Sequence, residues 1–202
     1  MIDIYHFSKP LSTHCLTTEQ CLTNITSDIA QHAHLHFVPL INMDFIANLE
    51  NHALTPSKSH RISDSSEILF NVILDFKAAQ LEGNKKARTF LVQLQHELLI
   101  NQKNYTSTLV AQLLDKIGIN HANFLINRAN KETISAIIKD QKFAEKIMQK
   151  KCATIALTFS QENDTQVLTD FSVNDLVLAF APHLTPTVDT DSLLQSLKSY
   201  AY

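Results

Sequence analysis

The first apolar positions, Ile2, Ile4, Tyr5 and Phe7 in IDIYHFS, form a short β-rich run that ends ahead of Pro10, which reads as a strand. From Thr13 the period lengthens: Leu22, Ile25 and Ile29 recur three and four apart, predicting a helix over roughly 13–33. Ser12 is placed to cap it, because a serine oxygen accepts one of the orphan N–H groups of a first turn. The run LHFVPL then reads as a second strand, with Leu35, Phe37 and Val38 toward the core. A helix between the two strands makes them parallel neighbours joined by a right-handed crossover.

Residues 51–66 are polar, serine-rich and carry a proline, so a loop is expected there. A helical block follows. Its first stripe is Ile68, Leu69, Val72, Ile73 and Phe76, broken at Gly83-Asn84, and its second is Phe90, Leu91, Leu94, Leu98 and Leu99. Thr106 caps a third helix that ends at Gly118; Asn120 opens a short one around Phe124; Asn130 opens a long one carrying Ile134, Ile137, Ile138, Ala144 and Met148. TIALTF (154–159) and QVLTDF (166–171), joined by a polar turn, return to strand character as a hairpin. Short helices around 173–181 and 189–200 complete the chain. The order is β-α-β, a helical block, then ββα.

Composition narrows the function classes. A net charge of −3 with both signs scattered lacks the basic face of a nucleic-acid binder. No apolar run approaches the length of a membrane span, and MIDIYHFSKP has no basic region followed by a long apolar run, so it is expected to be a strand and not a signal peptide. A cytoplasmic protein with reduced thiols is the expectation. The three cysteines, Cys15, Cys21 and Cys152, make no disulfide framework.

The chemistry concentrates in KPLSTHC. Strand, proline turn and helix start place Ser12-Thr13-His14-Cys15 where a Cys-x-x-Cys redox site would sit, with oxygen in the first position. Dithiol exchange needs one thiolate to attack and a second thiol to resolve the mixed disulfide, and serine forms no disulfide. Cys15 is either the surviving resolving thiol or a small buried apolar residue. Cys21, six residues further along the helix, faces elsewhere and is expected to be inert. His14 is placed to tune a thiol or to meet an anion at the helix start, or is a plain surface residue. His32, His34 and His36 alternate into the second strand with no carboxylate nearby in sequence, so solvated or capping histidines are expected, and no metal. Lys85, Lys86 and Arg88 read as a solvated helix start.

With that motif, the chain resembles the DsbA-like branch of the thioredoxin superfamily over most of its length. Ser12 falls at the family's first cysteine and Cys15 at its second. ARTFLVQLQHELLINQKNYTSTLVAQLLDKIGINHANF is similar to the helical domain that this branch inserts, including its glutamine pair. KDQKFAEKIMQKKCATIALTF is similar to the link into the strand that the family opens with a cis-proline; Ala153 stands in the proline's place and Thr154 follows. A cis bond before alanine costs about 3 kcal/mol, so a trans bond is expected.

Within the branch, LHFVPLINM and the helical block resemble cytosolic bacterial adaptors that deliver the redox regulator Spx to the ClpXP protease. Kappa-class glutathione transferases and 2-hydroxychromene-2-carboxylate isomerases share the fold, and their serine, which assists a bound glutathione thiolate, is similar in place to Ser12. The resemblance implies an α/β thioredoxin fold with an inserted all-helical domain: residues 1–50 and 151–202 as its two parts, 51–150 as loop and insertion. It implies binding positions at Pro10, His14, Cys152, Ala153 and Thr154, and catalytic positions, for an enzyme, at Ser12 and Cys15. Cys152 would lie near Cys15, a candidate redox pair. The leading expectation is an adaptor with a protein partner, an Spx-like regulator or a protease component, and no resident cofactor. The alternative is a thiol-disulfide oxidoreductase or isomerase, or a glutathione-dependent enzyme.

Overall fold

The computed structural model describes residues 2–28, 33–41, 64–148, 154–159 and 164–183, with 189, 191, 192, 194 and 195. The chain divides into two compact units: Met1–Ser8, Ser12–Val38 and Ile147–Tyr202 form the first, and Lys9–Leu11 with Pro39–Lys146 form the second.

The first unit is built on a four-stranded sheet in the order β2-β1-β3-β4, with β1 Ile2–Ser8, β2 Ala33–Pro39, β3 Thr154–Phe159 and β4 Asp164–Thr169. β1 pairs antiparallel with β3, Ile4 opposite Leu157 and Phe7 opposite Thr154, and β3 pairs antiparallel with β4. Contacts between β1 and β2 advance together along both strands, from Asp3 with His36, to Tyr5 with His36, to His6 with Phe37. Parallel neighbours behave so, and helix α1, Thr13–Asp28, makes the crossover. Alternation along β1 puts Ile2, Ile4, His6 and Ser8 on one face, with the oppositely facing Asp3 and Tyr5 half-buried. Ile4, Leu22, Ile25, Phe37, Ile155 and Leu157 are buried core, as are Leu176, Val177 and Phe180 of helix α7, Val173–Phe180. A capping box between Ser172 and Asp175 starts α7.

The second unit is helical: α2 Asp64–Gln80, α3 Asn84–Leu99, α4 Ser107–Ile117, α5 His121–Ala129 and α6 Lys131–Ile147. The expected punctuation is in place. The Thr106 hydroxyl accepts the Leu109 N–H, Gly118 takes the left-handed φ of 74° that closes α4, and the Asn120 side chain accepts the Asn123 N–H. Phe76, Phe90, Leu94 and Phe124 are buried in this core, Phe90 and Phe124 ring to ring at 6.1 Å. A charged node joins three segments. The Arg128 guanidinium donates to Asp75 Oδ1 at 2.6 Å and to Asn71 Oδ1 at 2.7 Å, and the Tyr105 hydroxyl donates to Asp75 Oδ2 at 2.6 Å. Burial still pushes the Asp75 carboxyl above its ordinary range despite these donors.

The elements differ from the expectation at their edges. Ala33 belongs to β2 and not to the first helix; Asp64, Ser65 and Ser66 open α2 and are not loop; β4 begins at Asp164, two residues earlier than expected. Ends are the weakest part of a periodic signal, because the polar residues there fit either neighbour. Residues 51–63 of the expected loop and most of the expected helix at 189–200 lie outside the described residues.

Removing one side of the buried node strands the other. Arg128→Met is expected to cost about 3 kcal/mol, because the buried Asp75 carboxyl loses the cation that offsets its desolvation. Tyr105→Phe is expected to cost about 1 kcal/mol. Urea unfolding of the two variants beside the parent reads both.

Candidate functional site

Helix α1 begins with Ser12 as its entry residue: the Ser12 carbonyl accepts the Leu16 N–H at 3.0 Å. Thr13 and His14 are exposed, whereas Cys15 points inward and is almost fully buried. The His14 ring lies 5.7 Å from that of Phe171, which joins β4 to α7 and follows Asp170, a residue with a left-handed φ of 54°. The helix start therefore presents the exposed Thr13 and the His14 imidazole beside the half-buried Ser12, with the Cys15 side chain turned inward. Cys15 is buried to the degree of a small apolar residue.

The β1–β3 register puts Thr154, fully buried, opposite Phe7, at the end of the sheet where the chain departs for α1. Of the expected site, Ser12, His14 and Cys15 stand together on one turn, and Thr154 is in this first unit. Pro10 is buried in the Lys9–Leu11 segment, which belongs to the helical unit. Cys152 and Ala153 lie outside the described residues, and with them the Cys15–Cys152 pair.

Beneath the first turns lies a polar layer that the sequence reading missed. Glu19, one turn after Cys15 on the same face, is fully buried and accepts the Ser8 hydroxyl at 3.0 Å. His6 is fully buried as well; its Nδ1 stands 3.9 Å from Glu19 Oε1, too far for a hydrogen bond, and its ring meets Phe37 edge-on. Neither His6 ring nitrogen has a hydrogen-bond partner among the described residues. Burial, with the charge of His14 adding to it, drives the His6 pKa from 6.5 down to about 3, so this imidazole is neutral at ordinary pH. The signal was present: Glu19 occupies a core position in the Cys15–Leu22 stripe, and His6 shares the inward face of Ile2 and Ile4.

The β2 histidines also have a partner that sequence distance concealed. Asp3 Oδ1 lies 3.1 Å from His36 Nε2 and 3.6 Å from His34 Nδ1, and Tyr5 stacks on His36. They pair across the sheet, where local sequence showed no acid. Among the described residues no group of three or more His, Cys, Asp or Glu side chains is arranged to hold a metal ion.

A family model described as Thioredoxin matches residues 5–176. The chain belongs to this thioredoxin family. Among curated relatives, the ClpXP adapter protein SpxH of Staphylococcus saprophyticus is 26% identical over 123 residues, 61% of this chain and 42% of that protein. The chain thus spans about two fifths of the length of the curated relatives it matches. Its fold is shared with a candidate protein disulfide isomerase from Nitrosomonas europaea (TM-score 0.62, 11% identity, covering 99% of this chain and 97% of that one). It is shared too with the cytosolic disulfide reductase DsbM from Pseudomonas aeruginosa (TM-score 0.58, 11% identity, 98% of each chain). At such identities the likeness speaks for the fold: a DsbA-like thioredoxin fold with a helical unit between its β-α-β and ββα parts. Among the described residues no helix is long and apolar enough to cross a membrane.

Two outcomes follow from the thioredoxin-fold unit's interior. Burial pushes the Cys21 thiol up to about 11, so iodoacetamide at neutral pH should leave Cys21 unmodified in the native protein and modify it after denaturation, as read by peptide mass spectrometry. For His6, the folded pKa of about 3 lies below the ordinary 6.5, so the unfolded chain takes up the proton first. Stability is therefore whole above the ordinary value and falls as pH drops toward the folded one, by up to about 1 kcal/mol per pH unit. Urea midpoints across that window should show the slope, and His6→Phe should flatten it.

Proposed function

We propose that this thioredoxin-family protein is a cytosolic protein-binding adaptor that delivers a redox-stress regulator to a protease and does not exchange disulfides. The observation that carries the reading is Ser12 at the entry to α1, an oxygen where the family's attacking sulfur stands, with Cys15 turned into the core. Such a turn keeps a shaped, polar helix start and lacks the atom that opens thiol exchange. The ClpXP adapter proteins of staphylococci support the class of partner: an Spx-type regulator, with a protease component as its destination. Thr13 and His14 supply the exposed contact surface in this reading, with the half-buried Ser12 at its head.

A second reading is favoured by Ser12 itself. A hydroxyl at a helix N-terminus is suited to accompany a thiolate supplied by glutathione, because the helix dipole and free N–H groups favour the anion. The DsbM reductase with which the fold is shared has been solved with glutathione. In that reading the protein is a glutathione-dependent enzyme, or a thiol-disulfide oxidoreductase or isomerase using Cys15.

Reconstituted proteolysis separates the two. With ClpXP and a purified Spx-type regulator, the protein is expected to shorten the regulator's half-life several-fold while leaving insulin disulfides unreduced in the presence of glutathione. Glutathione-dependent reduction of insulin, abolished by Ser12→Ala and accompanied by no effect on the regulator, would transfer the assignment to the enzyme.

A further inference from the structure

The chain reaches Ser12 through a turn that is unusual in two ways. Leu11 has a φ of 65°, left-handed for a residue with a side chain, which costs roughly 1–2 kcal/mol relative to ordinary backbone. Its main-chain N–H donates to Oε1 of Gln95, at 3.1 Å and 84 residues away. Gln95 is fully buried in α3, within the same helical unit that holds Lys9–Leu11. The bond is part-buried, and a hydrogen bond of this kind contributes about 0.5–1.5 kcal/mol, comparable to the strain, so it is large enough to bear on which conformation the turn adopts.

We propose that Gln95 is a positioning residue: its side-chain carbonyl holds Leu11 left-handed and thereby sets the backbone of the turn that leads into Ser12. Gln141 makes the same kind of attachment at the other strand exit. Its Oε1 accepts the Ile41 N–H and its Nε2 donates to the Pro39 carbonyl, both at 3.0 Å. The primary amide there pairs with main chain as a neighbouring strand would. Within the helical unit, two glutamines thus supply partners to the main chain of Leu11 and of Pro39 and Ile41. The functional consequence rests on reading the α1 start as the contact surface; the positioning itself does not.

The test uses the full chain, amide exchange and nitrogen–proton spectra. In the parent, the Leu11 amide should exchange about tenfold or more slowly than an open loop amide, and Gln95→Met, close to isosteric but without the acceptor, should abolish that protection. The same variant should move the resonances of Ser12, Thr13 and His14. Leu11→Gly in the Gln95→Met background should return those resonances toward their parent positions, since glycine adopts positive φ without help. A core defect left by Gln95→Met would not be repaired from position 11. Should Gln95→Met fail to fold, Gln95→Glu, which keeps the acceptor, must preserve Leu11 protection. An unprotected Leu11 amide in the parent, loss of protection in Gln95→Glu, or displaced helix-start resonances that glycine fails to restore would each overturn the proposal. Binding of a purified Spx-type regulator, measured in parallel, tracks the resonances if the contact surface is right. If the resonances respond as expected and binding does not, the positioning stands and the contact-surface reading falls.

Discussion

Main-chain polarity has to be satisfied wherever the chain leaves a sheet, and in this protein that requirement falls on two buried glutamines. Gln95 serves the Leu11 N–H after β1, and Gln141 serves Pro39 and Ile41 after β2. Leu11, Pro39 and Ile41 belong to the helical unit, as do both glutamines. A glutamine carries an acceptor and donors at the end of a flexible stem, so it can stand in for a missing strand. Once the turn ahead of Ser12 is held, everything downstream is local: the Ser12 carbonyl opens α1, Thr13 and His14 face out, and Cys15 and Glu19 face in along one stripe.

Much of this fold was legible because periodicity reports burial. β3 has the bounds expected of it, since TIALTF is β-rich and bracketed by polar residues. Thr106, Gly118 and Asn120 punctuate the helical unit as their chemistry requires. The element order follows from where the period changes. Long-range polar pairs were not legible. Asp3 meets His34 and His36 across 31 and 33 residues, and Gln95 meets Leu11 across 84. Nothing in a local window says which buried acid or amide will find which partner. Glu19 was the exception that could have been read, because a carboxylate in a core stripe announces a buried network.

The site divides in the same way. Ser12, His14 and Cys15 were legible as a candidate because they fall within four residues between a proline turn and a helix. The layer under them was not found, although it sets their surroundings: a fully buried carboxylate bound to Ser8 and a neutral imidazole beside it. With sulfur absent from position 12 and Cys15 enclosed, that layer shapes and supports the helix start, and among the described residues it has no exposed thiol to serve. In the proposed reading, a thioredoxin frame that keeps its helix start with an oxygen at position 12 favours binding over exchange.

The most direct measurement of that claim is site-specific photocrosslinking from the helix start. A benzophenone amino acid replaces His14, an exposed side chain, in otherwise unaltered protein, and a purified Spx-type regulator is offered under reducing conditions. The account predicts a covalent adduct from position 14 that an excess of unlabelled protein suppresses. Binding of the regulator with no adduct from position 14, and with adducts only from positions remote from α1, would contradict it.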